Sequence, residues 1–172
     1  MLSLLVVPFL VLGGFEAGGR VGVVFPASGL EQTHNSSAAL GLSLCYSAGS
    51  SRILLDYSYC GLSARQASPY RLDVHDLALG YGLEFFQRNG WGFEASAQAG
   101  YSLLRRTLAS ATESGKSPLG HVGLGFFQRQ GKSRLSVGLD NAVFIESAKS
   151  GSTSVVSATW LPALKAGVGY AF

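Results

Sequence analysis

The run Trp91-Gly92-Phe93-Glu94-Ala95-Ser96-Ala97-Gln98-Ala99-Gly100-Tyr101-Ser102-Leu103 decides how the whole chain is read. Its odd positions are apolar, from Trp91 and Phe93 through the three alanines to Tyr101 and Leu103. Its even positions carry glycine, serine, Glu94 and Gln98. A period of two sends the two sets to opposite faces of a β-strand, because successive Cβ atoms of an extended backbone point to opposite sides. A helix would need apolar spacings of three and four, and glycines at this density would weaken its interior.

Seven more segments repeat the pattern. Residues 15–26 set Phe15, Ala17, Val21, Val23 and Phe25 against Glu16, Gly18, Arg20 and Gly22. Residues 39–48 set Leu40, Leu42, Leu44 and Tyr46 against Gly41, Ser43, Cys45 and Ser47. In 52–62 the apolar set is Ile53, Leu55, Tyr57 and Tyr59, opposite Leu54, Asp56, Ser58 and Cys60. The long segment 70–86 puts Leu77, Leu79, Tyr81, Leu83 and Phe85 opposite Ala78, Gly80, Gly82 and Glu84. Further on, Val122, Leu124 and Phe126 oppose His121, Gly123 and Gly125, and Leu135, Val137, Leu139 and Val143 oppose Ser136, Gly138 and Asp140. The last segment sets Leu164, Ala166, Val168, Tyr170 and Phe172 against Lys165, Gly167 and Gly169. Two positions break phase: Asp76, which suggests a bulge, and Asn141, which needs a bulge to turn it away from the apolar face.

The links between segments alternate in length. Short turns fall at 48–51, 87–90 and 129–132, and Asn89-Gly90 is a strong type I′ hairpin signal. Longer Ser-, Thr-, Ala- and Gly-rich links fall at 27–38, 63–69, 105–118 and 147–154. Strands that rise and fall between two different surroundings produce this regularity. Phe85-Phe86-Gln87-Arg88 returns as Phe126-Phe127-Gln128-Arg129 before the next short turn, which implies a repeated hairpin unit.

The chain has 172 residues, enough for one domain, and 47% of them are hydrophobic. Only 13% are charged, about half the roughly 25% of a soluble domain. With the opposite face so poor in charge, the apolar face points outward to lipid and the small residues fill a narrow interior. Aromatic placement agrees. Phe15, Tyr46, Phe85, Trp91, Phe126, Tyr170 and Phe172 fall near the short-turn ends, while Phe25, Tyr57, Tyr59, Tyr101 and Trp160 fall toward the long-link ends. Two aromatic girdles are what a bilayer with two interfaces selects.

The predicted fold is therefore all-β: an eight-stranded, antiparallel, up-and-down transmembrane β-barrel over 15–172. Residues 1–14, an apolar run closed by Gly13-Gly14, read as a secretory signal, although no Lys or Arg precedes the run. From 15 to 172 the chain resembles the small outer-membrane barrels of the OmpA and OmpX type. The resemblance implies a bacterial outer-membrane location, lipids and lipopolysaccharide as surroundings, and a monomer. It also implies that the terminal aromatic strand, here Tyr170 and Phe172, is read by the barrel-assembly machinery.

Candidate chemistry lies on the polar phase. Glu16, Arg20, Asp56, Glu84, Glu94, Asp140 and Lys165, with Gln98 and His121 beside them, are expected to form a charge network in the lumen. The network reads first as an internal plug, and second as a narrow, cation-preferring pore, since five carboxylates outnumber Arg20 and Lys165. A lipid A-modifying hydrolase comes third. The sequence lacks a His-x-Ser-Asn pattern, and His75 beside Asp73, with Ser68 as the conceivable partner, reads better as a rim histidine. Arg52, Arg88, Arg129, Lys132 and Arg134 gather at the short turns, where they suit lipid phosphates.

Cys45 and Cys60 are expected to stay free. Paired across the turn near Gly49, they fall four to six residues out of register, more than about 13 Å at 3.3 Å per residue. No Cys/His cluster supports a metal, no cofactor is implied, and no basic face with stacking aromatics supports nucleic-acid binding. The expected role is structural or surface-interacting, with four longer loops offered outside.

Overall fold

The computed structural model describes residues 13–65, 70–108, 111–150 and 153–172; the leader-like run at 1–12 and Ser68 lie outside them. Eight strands follow one another: β1 Gly14–Val24, β2 Ser37–Ala48, β3 Ser51–Leu62, β4 Arg71–Arg88, β5 Trp91–Thr107, β6 Thr112–Gln130, β7 Ser133–Ser150 and β8 Thr153–Ala171. Each pairs antiparallel with the next, and β8 returns to β1, so the sheet closes without an edge. Its C-terminal strand is fixed at its end as well, by a hydrogen bond from the Phe172 amide to the Phe15 carbonyl (3.0 Å).

Alternation sorts the faces as the pattern requires. Leu42, Leu124, Leu139, Val168 and their equivalents on the other strands are exposed on the outer wall. Tyr46 is the exception among the aromatics: it shares that wall but is covered by Phe15, ring centroids 5.1 Å apart, and by the backbone at Gly13.

Several expectations need correcting. Asp76 causes no bulge, since its pairing with Ser58 and Ser102 is continuous and its side chain points inward with the rest of its phase. The irregularity in β4 lies between Phe85 and Arg88, where Phe86 takes a left-handed φ of 51°. That turn breaks the apparent repeat: Phe86 is 81% exposed, whereas Phe127 at the matching place is 2% exposed in the interior. No bulge rescues Asn141 either. It stays on the outer phase opposite Val122 and Pro162, half-buried, with its amide oxygen unbonded.

The links differ most. β5 and β6 pair to Thr107 and Thr112, and β7 and β8 to Ser150 and Thr153. Most of what reads as loop at 105–118 and 147–154 is thus paired strand continuing past the aromatic girdle. The 105–118 hairpin is exposed on both faces over most of its described length and has no reason to alternate, so its Ser-, Thr- and Gly-rich sequence carries no strand signature. The first long link keeps its irregular form, with a short 3₁₀ turn at Leu30–Gln32, and touches the second through a bridge between His34 and Ala64.

Candidate functional site

Three layers fill the lumen from the short-turn end to the loop end. The first is built on Arg52 of β3, which is 2% exposed. Its Nη2 donates to Glu16 Oε1 (3.0 Å), its Nη1 donates to Glu94, and its Nε donates to Cys45 Sγ (3.0 Å) while lying 3.6 Å from Glu84 Oε1. Arg134 donates to Glu94 Oε2 (3.1 Å), and Arg129 donates to Glu84 Oε1 (3.1 Å). Gln87 also donates to Glu84 (3.0 Å). Strands β1 through β7 each supply a side chain to this layer, counting Phe127 of β6, which carries the Arg134 guanidinium 4.4 Å above its ring.

Register explains why the cations are needed. Glu84 and Glu94 are direct cross-strand partners, and like charges placed opposite each other destabilise a sheet. Arg52 and Arg134 reach both carboxylates, so three guanidinia face three carboxylates with no net charge. Two glycines make room. A Cβ on Gly169 would lie 2.4 Å from Glu16 Oε1, and one on Gly92 would lie 2.6 Å from the Phe127 ring.

Above it lies a polar layer. Arg20 and Gln98 both donate to Asp56 Oδ2, at 3.0 and 2.6 Å. Lys165 bonds Asp140, whose carboxylate also faces His121 Nδ1 at 3.3 Å. His121 Nε2 lies 3.7 Å from Asp76, which accepts hydrogen bonds from Ser102 and from Ser58 (3.4 Å). Among the described residues, a cavity of about 20 Å³ and another of about 60 Å³ border this layer, lying on either side of Arg20, Asp140 and Lys165. Among the described residues, no cluster of three metal-binding side chains forms.

The third layer is apolar. Val24, Leu62, Leu72, Val74, Leu104, Leu119, Phe144 and Leu161 converge inside the loop end, with Leu30 and Tyr70 packed onto them from the links. Cys60 joins this layer as a free thiol, and Cys45 is free in the first layer. Cys45 pairs with Leu54 and Cys60 with Ala39, so no disulfide is within reach.

The structure brings all seven of the charged residues singled out on the polar phase into the lumen, in two separate layers. It also brings in four groups that the sequence reading placed elsewhere or left out: Arg52, Arg129, Arg134 and Asp76. The expectation that the short-turn cations face lipid phosphates fails for the three arginines, which are ion-paired in the lumen; Arg88 and Lys132 stay exposed. Their phase was the available signal, because Arg52 and Arg134 share the inward parity of Leu54 and Ser136. The apolar cap was missed for a related reason: Leu72 and Val74 lie on the face expected to be polar.

A closed, eight-stranded, up-and-down barrel with an apolar outer wall and a packed lumen is the architecture of the small outer-membrane barrels. Solved structures of that class superimpose on this chain. Neisserial surface protein A matches with a TM-score of 0.74 at 15% identity, covering 92% of this chain and 97% of its own. Ail, the attachment invasion locus protein of Yersinia pestis, gives 0.57 at 11% identity (93% and 97% covered). The outer membrane enzyme PagL gives 0.56 at 16% identity (88% and 97% covered). No protein-family model and no curated protein matches the sequence. A surface protein, an attachment protein and an enzyme thus share one scaffold, and the shared scaffold assigns none of their roles to this chain.

Proposed function

We propose that this chain is a monomeric, non-enzymatic barrel of a bacterial outer membrane, closed to solutes and acting through its outer wall and its loop-end hairpins. Export through the N-terminal apolar run and recognition of Tyr170 and Phe172 during assembly belong to the same proposal. The observation that carries it is the filled lumen. An ion-paired layer, a polar layer and an apolar cap succeed one another, and the cavities of about 20 and 60 Å³ between them have room for only a few waters. An outer wall that exposes leucine, valine and aromatics on all eight strands is stable only where the surroundings are apolar as well.

Planar-bilayer recording of the purified protein tests closure. No steady conductance is expected. Steady, cation-selective steps that weaken in Glu84→Gln and Glu94→Gln would overturn the closed reading in favour of a narrow pore. Location is tested by fractionation and by comparing gel migration before and after boiling; a soluble protein with no heat-dependent shift would overturn the membrane assignment. Lipid A from expressing cells is expected to keep an unchanged mass spectrum.

A further inference from the structure

At the loop end of the outer wall, polar side chains stand where alternation elsewhere supplies apolar ones. Asp73 and His75 point outward from β4, and Arg105 lies directly across from Asp73 on β5. The Asp73 carboxylate is already occupied: Oδ1 accepts from the Tyr59 hydroxyl (3.0 Å) and from Arg71 Nε (3.0 Å). Gly61 leaves the room for this contact, since a Cβ there would lie 2.8 Å from Arg71 Nη2, 2.9 Å from Asp73 Oδ1 and 3.0 Å from the Tyr59 hydroxyl. Arg105 therefore remains exposed, with no hydrogen bond or ion pair among the described residues. Two guanidinia against one carboxylate leave one positive charge unmatched. His75 lies beside Arg105 in the groove lining, its Nδ1 2.9 Å from the Tyr57 hydroxyl, so in the tautomer that accepts from that hydroxyl Nε2 is a donor.

An apolar groove of about 760 Å³ begins beside this cluster and crosses β2 to β1, between Leu40, Leu42 and Val21. Gly19 opens its far end, where a Cβ would meet nothing within 4 Å. Its size falls within the roughly 300–1,000 Å³ typical of small-molecule sites. One end is hydrocarbon-like and the other presents a free guanidinium.

We propose that this notch binds a phosphate-bearing lipid, with the phosphate on Arg105 and His75 and an acyl chain in the groove over Gly19. Guanidinium groups match phosphate oxygens with paired, charge-assisted hydrogen bonds. A lone cation at the boundary of an apolar wall is costly without a counter-anion, and a lipid phosphate supplies one at that depth. The proposal rests on the membrane reading of the outer wall, but its test does not need a membrane.

The protein in dodecyl maltoside micelles is titrated with tetradecyl phosphate, and binding is followed by calorimetry and by the phosphorus resonance of the probe. Arg105→Gln and Gly19→Leu are compared with the unaltered chain, each first shown to be folded by its heat-dependent gel shift. Each variant is expected to bind about tenfold more weakly, the first through loss of the ion pair and the second by filling the groove. Inorganic phosphate is expected to bind at least about tenfold more weakly than the alkyl phosphate, because it lacks the chain. Equal affinity in Arg105→Gln overturns the site, and inorganic phosphate binding as tightly as tetradecyl phosphate reduces it to a plain anion contact. Failure here with normal outer-membrane fractionation refutes the notch alone; failed fractionation refutes the membrane reading.

Discussion

Replacing Arg52 by methionine removes the centre of the first lumen layer while keeping a side chain of similar length. Arg52 is 2% exposed, and the side chains of Glu16, Glu84 and Glu94 around it are 10%, 1% and 13% exposed. Losing it leaves two guanidinia against three carboxylates in a closed space. Glu84 and Glu94 retain Arg129 and Arg134, whereas Glu16 retains, among the described residues, only Arg129 at 3.8 Å. Breaking a buried pair by deleting one partner costs about 3–5 kcal/mol, because the other charge stays buried without compensation. Arg52→Met should therefore lose about 3–5 kcal/mol of folding stability. Glu16→Gln combined with Arg52→Met restores two guanidinia against two carboxylates, and the double variant should lose less than the single Arg52→Met. Urea unfolding from lipid vesicles measures this, with Trp91 and Trp160 on the outer wall as fluorescent reporters and the heat-dependent gel shift as an independent check. A loss below about 1 kcal/mol for Arg52→Met, or a double variant whose loss is the plain sum of the two singles, would refute the ion-paired plug.

Both cysteines should be unreactive to a thiol reagent in the folded protein and should both react after denaturation, with no change in gel mobility on reduction. His34 is fully buried between the first two long links, and burial holds its pKa below the ordinary value of 6.5. A base held neutral in the folded state stabilises it fully above pH 6.5 and loses that contribution as pH falls below 6.5. Proteolysis within 25–36 should thus be faster at pH 5 than at pH 7.5, and His34→Phe should flatten that difference. In the turn with φ values of 52° and 81°, Asn89→Ala should cost about 1 kcal/mol. Gly90→Ala should cost more by the same urea measurement, since its Cβ would also lie 2.4 Å from the Arg129 carbonyl oxygen.

Strand number, the up-and-down order, the three short turns and the inward and outward faces were all legible in the sequence. Each depends on local features: a period of two along the strand, and turn residues such as Asn89-Gly90 that accept positive φ. Cys45 shows how far local reading reaches, since counting back from the Gly49 turn places it near Leu54 or Asp56, and it is found opposite Leu54. Outside the girdle, the strands at 105–118 are exposed on both faces over most of their described length, and their sequence looks like loop.

Closure of the barrel decided the rest. Which inward residues meet depends on the stagger accumulated around eight strands, which no single strand encodes. That stagger brings Arg52 of β3 to Glu16 of β1 and Glu94 of β5, and so turns apparent lipid-facing turn cations into the core of a plug. It also gathers Leu72, Leu104 and Phe144 into an apolar cap, and leaves Arg105 beside an aspartate already taken by Arg71. The sequence by itself determined which way each side chain points, because that is a property of one extended backbone. Only the closed tertiary structure decided what each side chain meets there, because contact across strands is set by register and curvature over the whole sheet.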